Sequence, residues 1–211
     1  LNPSLAERLR TETRALHMAA ERSAFMATLM SGRMARPSYC ALLRNLHAIY
    51  AALEPALERH ATHSSIAPVF LPALWRRSAL EHDLRALCGA DWSATPALTP
   101  AATSYVARLH ELDATQPGLL LAHAYVRYLG DLSGGQMLRG IVAKSEALGA
   151  TAAIAFYDFG DALAVRELTQ AFRAGLDAVP ADERQASALV DEAKLGFGLH
   201  QSLFGELAER Y

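Results

Sequence analysis

The chain has 211 residues, enough for one well-packed domain or two small ones, and 52 % of them are apolar, which permits a sizeable core. Its formal net charge of −2 leaves no basic surplus to neutralise phosphates and argues against a general nucleic-acid binder. The longest apolar run, Gly118 to Val126, is far too short to span a bilayer and carries His123.

Helical periodicity dominates from the start. Asn2 followed by Pro3 predicts a cap and a first turn, and Leu5, Leu9, Leu16 and Ala20 then mark one apolar face. Pro37 opens a second long helix, with Tyr39, Leu42, Leu43, Leu46, Ile49, Tyr50, Leu53 and Leu57 spaced three and four apart. Residues 60–72 read as a loop. Further helices fit 72–87, stopped by Gly89, and 100–114, capped by Thr99. A long one fits 117–148, stopped by Gly149, and the last two fit 161–178 and 180–211. No run alternates with period two. The expectation is one all-α domain, residues 1–211, of seven or eight helices.

Cys40 and Cys88 match no zinc or thioredoxin spacing, so the default is two free thiols in a reducing cytosol. Leu1-Asn2-Pro3-Ser4-Leu5 lacks the pattern of a signal peptide, and a cytoplasmic location is expected. Lys144 and Lys194 are the only lysines. An arginine bias suits planar carboxylate contacts, and it equally follows from a GC-rich genome.

The most informative segment is Tyr128-Leu129-Gly130-Asp131-Leu132-Ser133-Gly134-Gly135-Gln136. Three glycines inside a helical pattern cost ~3 kcal/mol relative to alanine. Such a cost implies a bent helix, or one whose bare backbone presses on something flat. Gly130 and Gly134 are four apart and share a face, where the missing Cβ admits a close partner. That partner is either another helix or a flat ligand. Asp131 is ordinarily an exposed acid; aimed into a pocket it can hold ordered water. His17 sits beside the Leu16 stripe with Glu21 one turn on, and Arg10 and Arg14 lie upstream. A lone histidine at such an edge is more often structural than a ligand, yet neutral imidazole binds metals well. His60 and His63 fall in a loop, as solvated side chains or a weak surface metal site.

At this point the residues resemble a known family. Tyr125 through Gln136 is similar to the distal-helix signature of heme oxygenases, and Thr13-Arg14-Ala15-Leu16-His17 with Glu21 is similar to the segment carrying that family's proximal histidine. The stretches 47–54 and 192–204 match as well. The resemblance implies an all-α fold of bacterial type, with heme b between the first helix and a kinked glycine-rich helix. It assigns His17 as iron ligand. It assigns Asp131, Gly130, Gly134 and Gly135 to catalysis, and Glu21, Arg10, Thr13, Arg14, Tyr125, Arg127, Arg173 and Phe197 to heme contact. Three positions depart from the pattern: Val126 where threonine is frequent, Thr169 where a lysine often reaches a propionate, and His200 where asparagine is common.

The activity so implied is reductive, O2-dependent cleavage of heme to biliverdin, carbon monoxide and ferrous iron. Heme is both substrate and cofactor, and Asp131 supplies a proton through water. An external electron donor is required, a ferredoxin or a flavoprotein reductase, and a bilin-accepting protein is a further partner. No nucleic acid or membrane is implied, and a monomer is the default. Two alternatives stand beside it. One is a heme carrier or sensor without turnover; the other is a helical interaction protein whose glycines serve a helix crossing.

Overall fold

The computed structural model describes residues 3–94, 97–148 and 154–211, and all regular structure among them is helical. None of these helices is long and apolar enough to cross a membrane. Helix α1 (Leu5–Glu21) is capped by Ser4, whose hydroxyl accepts from the Glu7 N–H at 3.3 Å. The expected cap Asn2 lies outside the described residues. Leu5, Leu9, Thr13 and Ala20 form the buried stripe of α1.

Helix α2 (Ala24–Met30) is absent from the sequence reading, because seven residues are too few to show a period. Ser23 caps it, and it buries Phe25 and Leu29. Helix α3 (Arg36–Arg59) has Pro37 in its first turn, as expected, and is buried along most of its length. It packs on α4 (Arg77–Cys88) and α5 (Pro100–Thr115), the latter capped by Thr99.

The helix predicted over 72–87 is shorter than expected. Pro72–Leu74 forms a separate 3-10 turn and Trp75 is extended. Helix α4 has no local cap; the Glu54 carboxylate from α3 instead accepts the backbone N–H groups of Arg76 and Arg77. Burial pushes the Glu54 carboxyl up to about 7, against the pull of those N–H groups. A cap supplied by a residue some twenty positions upstream leaves no local signature, and so the start of α4 is invisible in the chain.

The two cysteines are joined, which corrects the expectation of free thiols. Antiparallel packing of α3 on α4 sets the start of one helix beside the end of the other. This brings Cys40 and Cys88, 48 positions apart, to a Cα–Cα distance of 6.4 Å. Closing a loop of that length restricts the unfolded chain by up to ~4 kcal/mol. Denaturant titration with and without reductant is expected to show a stability loss of that order; identical midpoints would contradict the bond.

The segment read as one helix over 117–148 is six pieces, the last a 3-10 turn at Glu146–Leu148. A 3-10 turn (Pro117–Leu119) leads into α6 (Leu120–Ala124), a π-helical turn (Tyr125–Leu129), α7 (Gly130–Ser133) and α8 (Gly135–Lys144). Helix α8 ends at Lys144, and the expected stop Gly149 lies outside the described residues. Helix α9 (Ala162–Asp177) is capped by Asp161, and α10 (Glu183–Arg210) opens on a capping box between Asp182 and Gln185. Helix α10 packs along α1, α2, α5 and α6, and so braces one wall of the molecule's main cleft.

Within the expected loop over 60–72, Ala67–Val69 forms a 3-10 turn, and helix α9 crosses it so closely that a Cβ on Gly175 would lie 2.2 Å from the Pro68 carbonyl oxygen. Gly175→Ala must push backbone apart and is expected to cost ~2–3 kcal/mol. An unchanged thermal midpoint would show that the crossing is looser than this.

Candidate active site

A cleft opens to solvent between α1, the distal segment around α7 and α10. His17 and Glu21 line it from α1, Gly130, Asp131, Gly134 and Gly135 from the distal segment, and Phe197 and His200 from α10.

The distal segment is shaped by its π turn. Gly130 (φ −63°, ψ −46°) and Gly134 (φ −73°, ψ −30°) are ordinary right-handed helix, so neither glycine is needed for backbone conformation. Their value is the missing side chain. A Cβ on Gly130 would meet no atom within 4 Å, so the space over that turn is open. This removes the helix-crossing reading at Gly130. Gly135 differs: a Cβ there would lie 3.3 Å from the Tyr157 ring, so this glycine also serves packing.

Asp131 is buried and carries two partners. Tyr50 Oη donates to Oδ2, and Arg127 Nη2 donates to Oδ1 at 3.0 Å. An ionised carboxylate has about four acceptor sites, so two remain for a water in the cleft. Burial pushes the Asp131 carboxyl up, against Arg127 and the Tyr50 hydrogen bond. An acid held upward in this way can carry and release a proton.

Arg127 is the hub behind Asp131. Its Nε donates to Tyr50 Oη at 3.2 Å and its Nη1 to His200 at 2.9 Å. Its guanidinium thus ties Tyr50, His200 and Asp131 together at the edge of the cleft and holds the acid in place. In the sequence Tyr50 is marked only as one of the apolar set of α3. The use of its hydroxyl depends on a partner 81 positions away, which no local pattern announces.

His17 is partly exposed, its ring edge-on to Phe197 at 5.9 Å. Its Nδ1 lies 3.7 Å from Glu21 Oε2, too far for a direct hydrogen bond but close enough to bias ring orientation. Among the described residues nothing bonds its Nε2. Nearby, Thr13 Oγ1 and Tyr125 Oη are 3.3 Å apart. Burial pushes the Tyr125 hydroxyl up, against the pull of Thr13, Arg173 and Arg10. Arg10, Arg14 and Arg173 are exposed and form no ion pair among the described residues. Thr169 spends its hydroxyl on the Val165 carbonyl at 2.7 Å and offers no cation there.

Behind the cleft, His123 Nε2 meets Glu192 Oε1 at 2.9 Å, Arg108 donates to both Glu192 oxygens, and Tyr105 closes the cluster on His123 Nδ1 at 3.1 Å. Burial pushes Glu192 up, but His123 and Arg108 prevail and hold it at about 2. The sequence shows His123 only as a polar residue in an apolar run; its role in packing α6 to α10 comes from the fold. His60 pairs with Asp113 at 3.0 Å, and no group of three metal-binding side chains forms among the described residues.

The cleft therefore has one free imidazole on one wall and bare helix backbone with a buried acid on the other. Apolar faces lie between them, and unpaired arginines lie along α1 and α9. This donor set fits a flat, iron-bearing macrocycle with carboxylate arms: a side chain at Gly130 would fill the space that such a group needs.

Comparison with known proteins agrees. The heme oxygenase family model matches residues 3–206. The heme oxygenase 1 of a Nostoc species is 37 % identical over 207 residues, covering 98 % of this chain and 87 % of that protein. Human heme oxygenase 1 is 38 % identical, covering 97 % and 72 %. The crystal structure of heme oxygenase-2 from Synechocystis in complex with heme and NO superposes with a TM-score of 0.93 at 35 % identity, covering 99 % of this chain and 86 % of that one. With the fold, the match over nearly the whole chain and the identities in agreement, the chain belongs to the heme oxygenase family, oxidoreductases that cleave heme.

Proposed function

We propose that the cleft binds heme b between His17 and Gly130 and that the chain converts it to biliverdin, carbon monoxide and ferrous iron, using O2 and an external electron donor. The observation that carries this reading is the pairing of a free imidazole with a side-chain-free wall that holds a buried acid. Bound heme supplies both the iron at which oxygen is reduced and the ring that is opened.

The chain's own residues do the rest. His17 offers its Nε2 lone pair to the iron, and Glu21 biases the ring from the Nδ1 side. Arg10, Arg14 and Arg173 pair with the propionates and fix rotation in the plane, with Thr13 and Tyr125 beside them. Phe197 stands edge-on to the imidazole and walls the proximal side. Gly130 and Gly134 leave room above the ring, and Gly135 sets the helix against Tyr157. Asp131 holds a water and delivers a proton through it, while Arg127 and Tyr50 keep its carboxylate aimed at the cleft.

Electrons come from a ferredoxin or a flavoprotein reductase, and a bilin-accepting protein takes the product. The chain acts as one domain, residues 1–211, on the support of a continuous core, and as a monomer. The proposed setting is the cytoplasm, where such donors occur; the Cys40–Cys88 bond has to persist or re-form there.

A heme carrier or sensor has no use for a buried, water-holding acid over the iron, so the Asp131 network favours turnover. The test mixes pure protein with hemin, records the spectrum and adds a reductant in air. A green bilin product supports the enzyme. A stable heme complex would make the chain a carrier, and no heme spectrum would overturn the site.

A further inference from the structure

We propose that His200 is a positioning residue for this reaction, a neutral imidazole that accepts a hydrogen bond from Arg127 and thereby holds Asp131 on the cleft. This inference rests on the cleft being the heme-cleaving site.

The geometry is specific. Arg127 is buried, and its guanidinium reaches three groups on three segments: Tyr50 on α3, Asp131 on α7 and His200 on α10. A buried guanidinium needs acceptors for its donors, and a planar fork fixed at three corners has one orientation. The His200 corner is Nη1 to Nε2 at 2.9 Å, with Nδ1 farther away at 3.4 Å. Arginine only donates, so Nε2 must carry a free lone pair, which puts the proton on Nδ1. The ring cannot swing away easily: it sits edge-on to Phe204 at 4.6 Å, and Phe204 stacks on Phe25 of α2 at 5.8 Å.

Of the charged and titratable groups on the surrounding elements, Tyr50, Asp131, Tyr105 and His200 act on Arg127. The distal segment presents Arg127 and Asp131, α3 presents Tyr50, α5 presents Tyr105, and α1 faces the same cleft with His17 and Glu21. Helix α6 brings His123, already engaged with Glu192. Helix α2 presents Phe25, Met26 and Leu29, all apolar. On α10 itself, Lys194 pairs with Glu12 and Asp191, and Glu206 accepts from the Ala101 N–H. Burial first, and the Arg127 charge second, keep the proton off His200 and hold its pKa well below the usual imidazole value. Below pH ~6.5 the unfolded chain therefore binds a proton that the folded chain refuses, so the His200 contribution is complete above that pH and is lost as pH falls. Protonation would replace the acceptor with a second cation facing Arg127, and Asp131 would lose its fixed partner.

The test begins with the heme-free protein. Proton and nitrogen NMR of the His200 ring and the Arg127 side chain, followed from pH 8 downward, is expected to show the Nδ1–H tautomer persisting well below pH 6.5. The Arg127 signals should move only when His200 titrates. In hemin turnover, His200→Ala is expected to lose about 10-fold or more in rate at pH 7.5 while heme affinity stays within a few-fold. His200→Asn, whose amide oxygen accepts the same bond, should recover most of that rate and flatten the acid limb of the pH profile. A His200 that titrates near 6.5 without moving Arg127 would overturn the proposal. So would a His200→Ala rate equal to the parent, or equal impairment of the Ala and Asn variants. If the Ala variant does not fold, the Asn profile and the NMR titration decide. A parent protein that leaves hemin intact would overturn the reading of the cleft, whereas the His200–Arg127 bond is decided by NMR alone.

Discussion

Asp131→Ala is expected to leave hemin bound with its axial histidine signal intact and to cut biliverdin formation by ~100-fold or more, the range for loss of a positioned proton donor. The carboxylate is buried, shared by Tyr50 and Arg127, and its remaining lone pairs face the cleft. Removing it leaves Arg127 buried without its counter-charge, which is expected to cost ~3 kcal/mol of stability. Asp131→Asn keeps the shape and so separates the proton from the packing. It should fold more stably than the alanine variant yet remain slow. Bilin yield per heme, measured beside the heme absorption spectrum, reads both effects. Normal turnover in Asp131→Ala would remove this residue from the mechanism.

His17→Ala makes the complementary case. The ring is partly exposed and touches Phe197 at its edge, so the fold should change by no more than ~0.5 kcal/mol. Heme affinity should fall by at least ~10-fold, since even a lost partner behind a metal ligand costs that much. The axial histidine signature should vanish and return when imidazole is added. A spectrum identical to the parent's would reassign the iron ligand.

These two residues were legible because each sits in a dense local pattern. Three glycines around Asp131 break a helical period at a cost that asks for a reason, and His17 lies one turn from Glu21 on a clear amphipathic face. Helix positions followed from proline, cap residues and spacing for the same reason, since those signals act within a turn or two.

What the chain concealed depends on tertiary partners. The π turn at Tyr125–Leu129 differs from an α turn by one residue of hydrogen-bond register, and side-chain types do not encode that. The start of α4 is set by Glu54 from another helix, and the Cys40–Cys88 bond by the packing of α3 on α4. Tyr50 and His200 looked like an ordinary core aromatic and an unusual substitution. They acquire their roles only when Arg127 brings them together from 77 and 73 positions away.

The account stands on a porphyrin lying between His17 and the bare turn at Gly130. A crystal structure of the protein with hemin should show the iron within bonding distance of His17 Nε2, the far face of the ring over Gly130 and Gly134, and a water between the iron side and Asp131. Iron bound to a different residue, with the space over Gly130 closed by protein atoms, would contradict it.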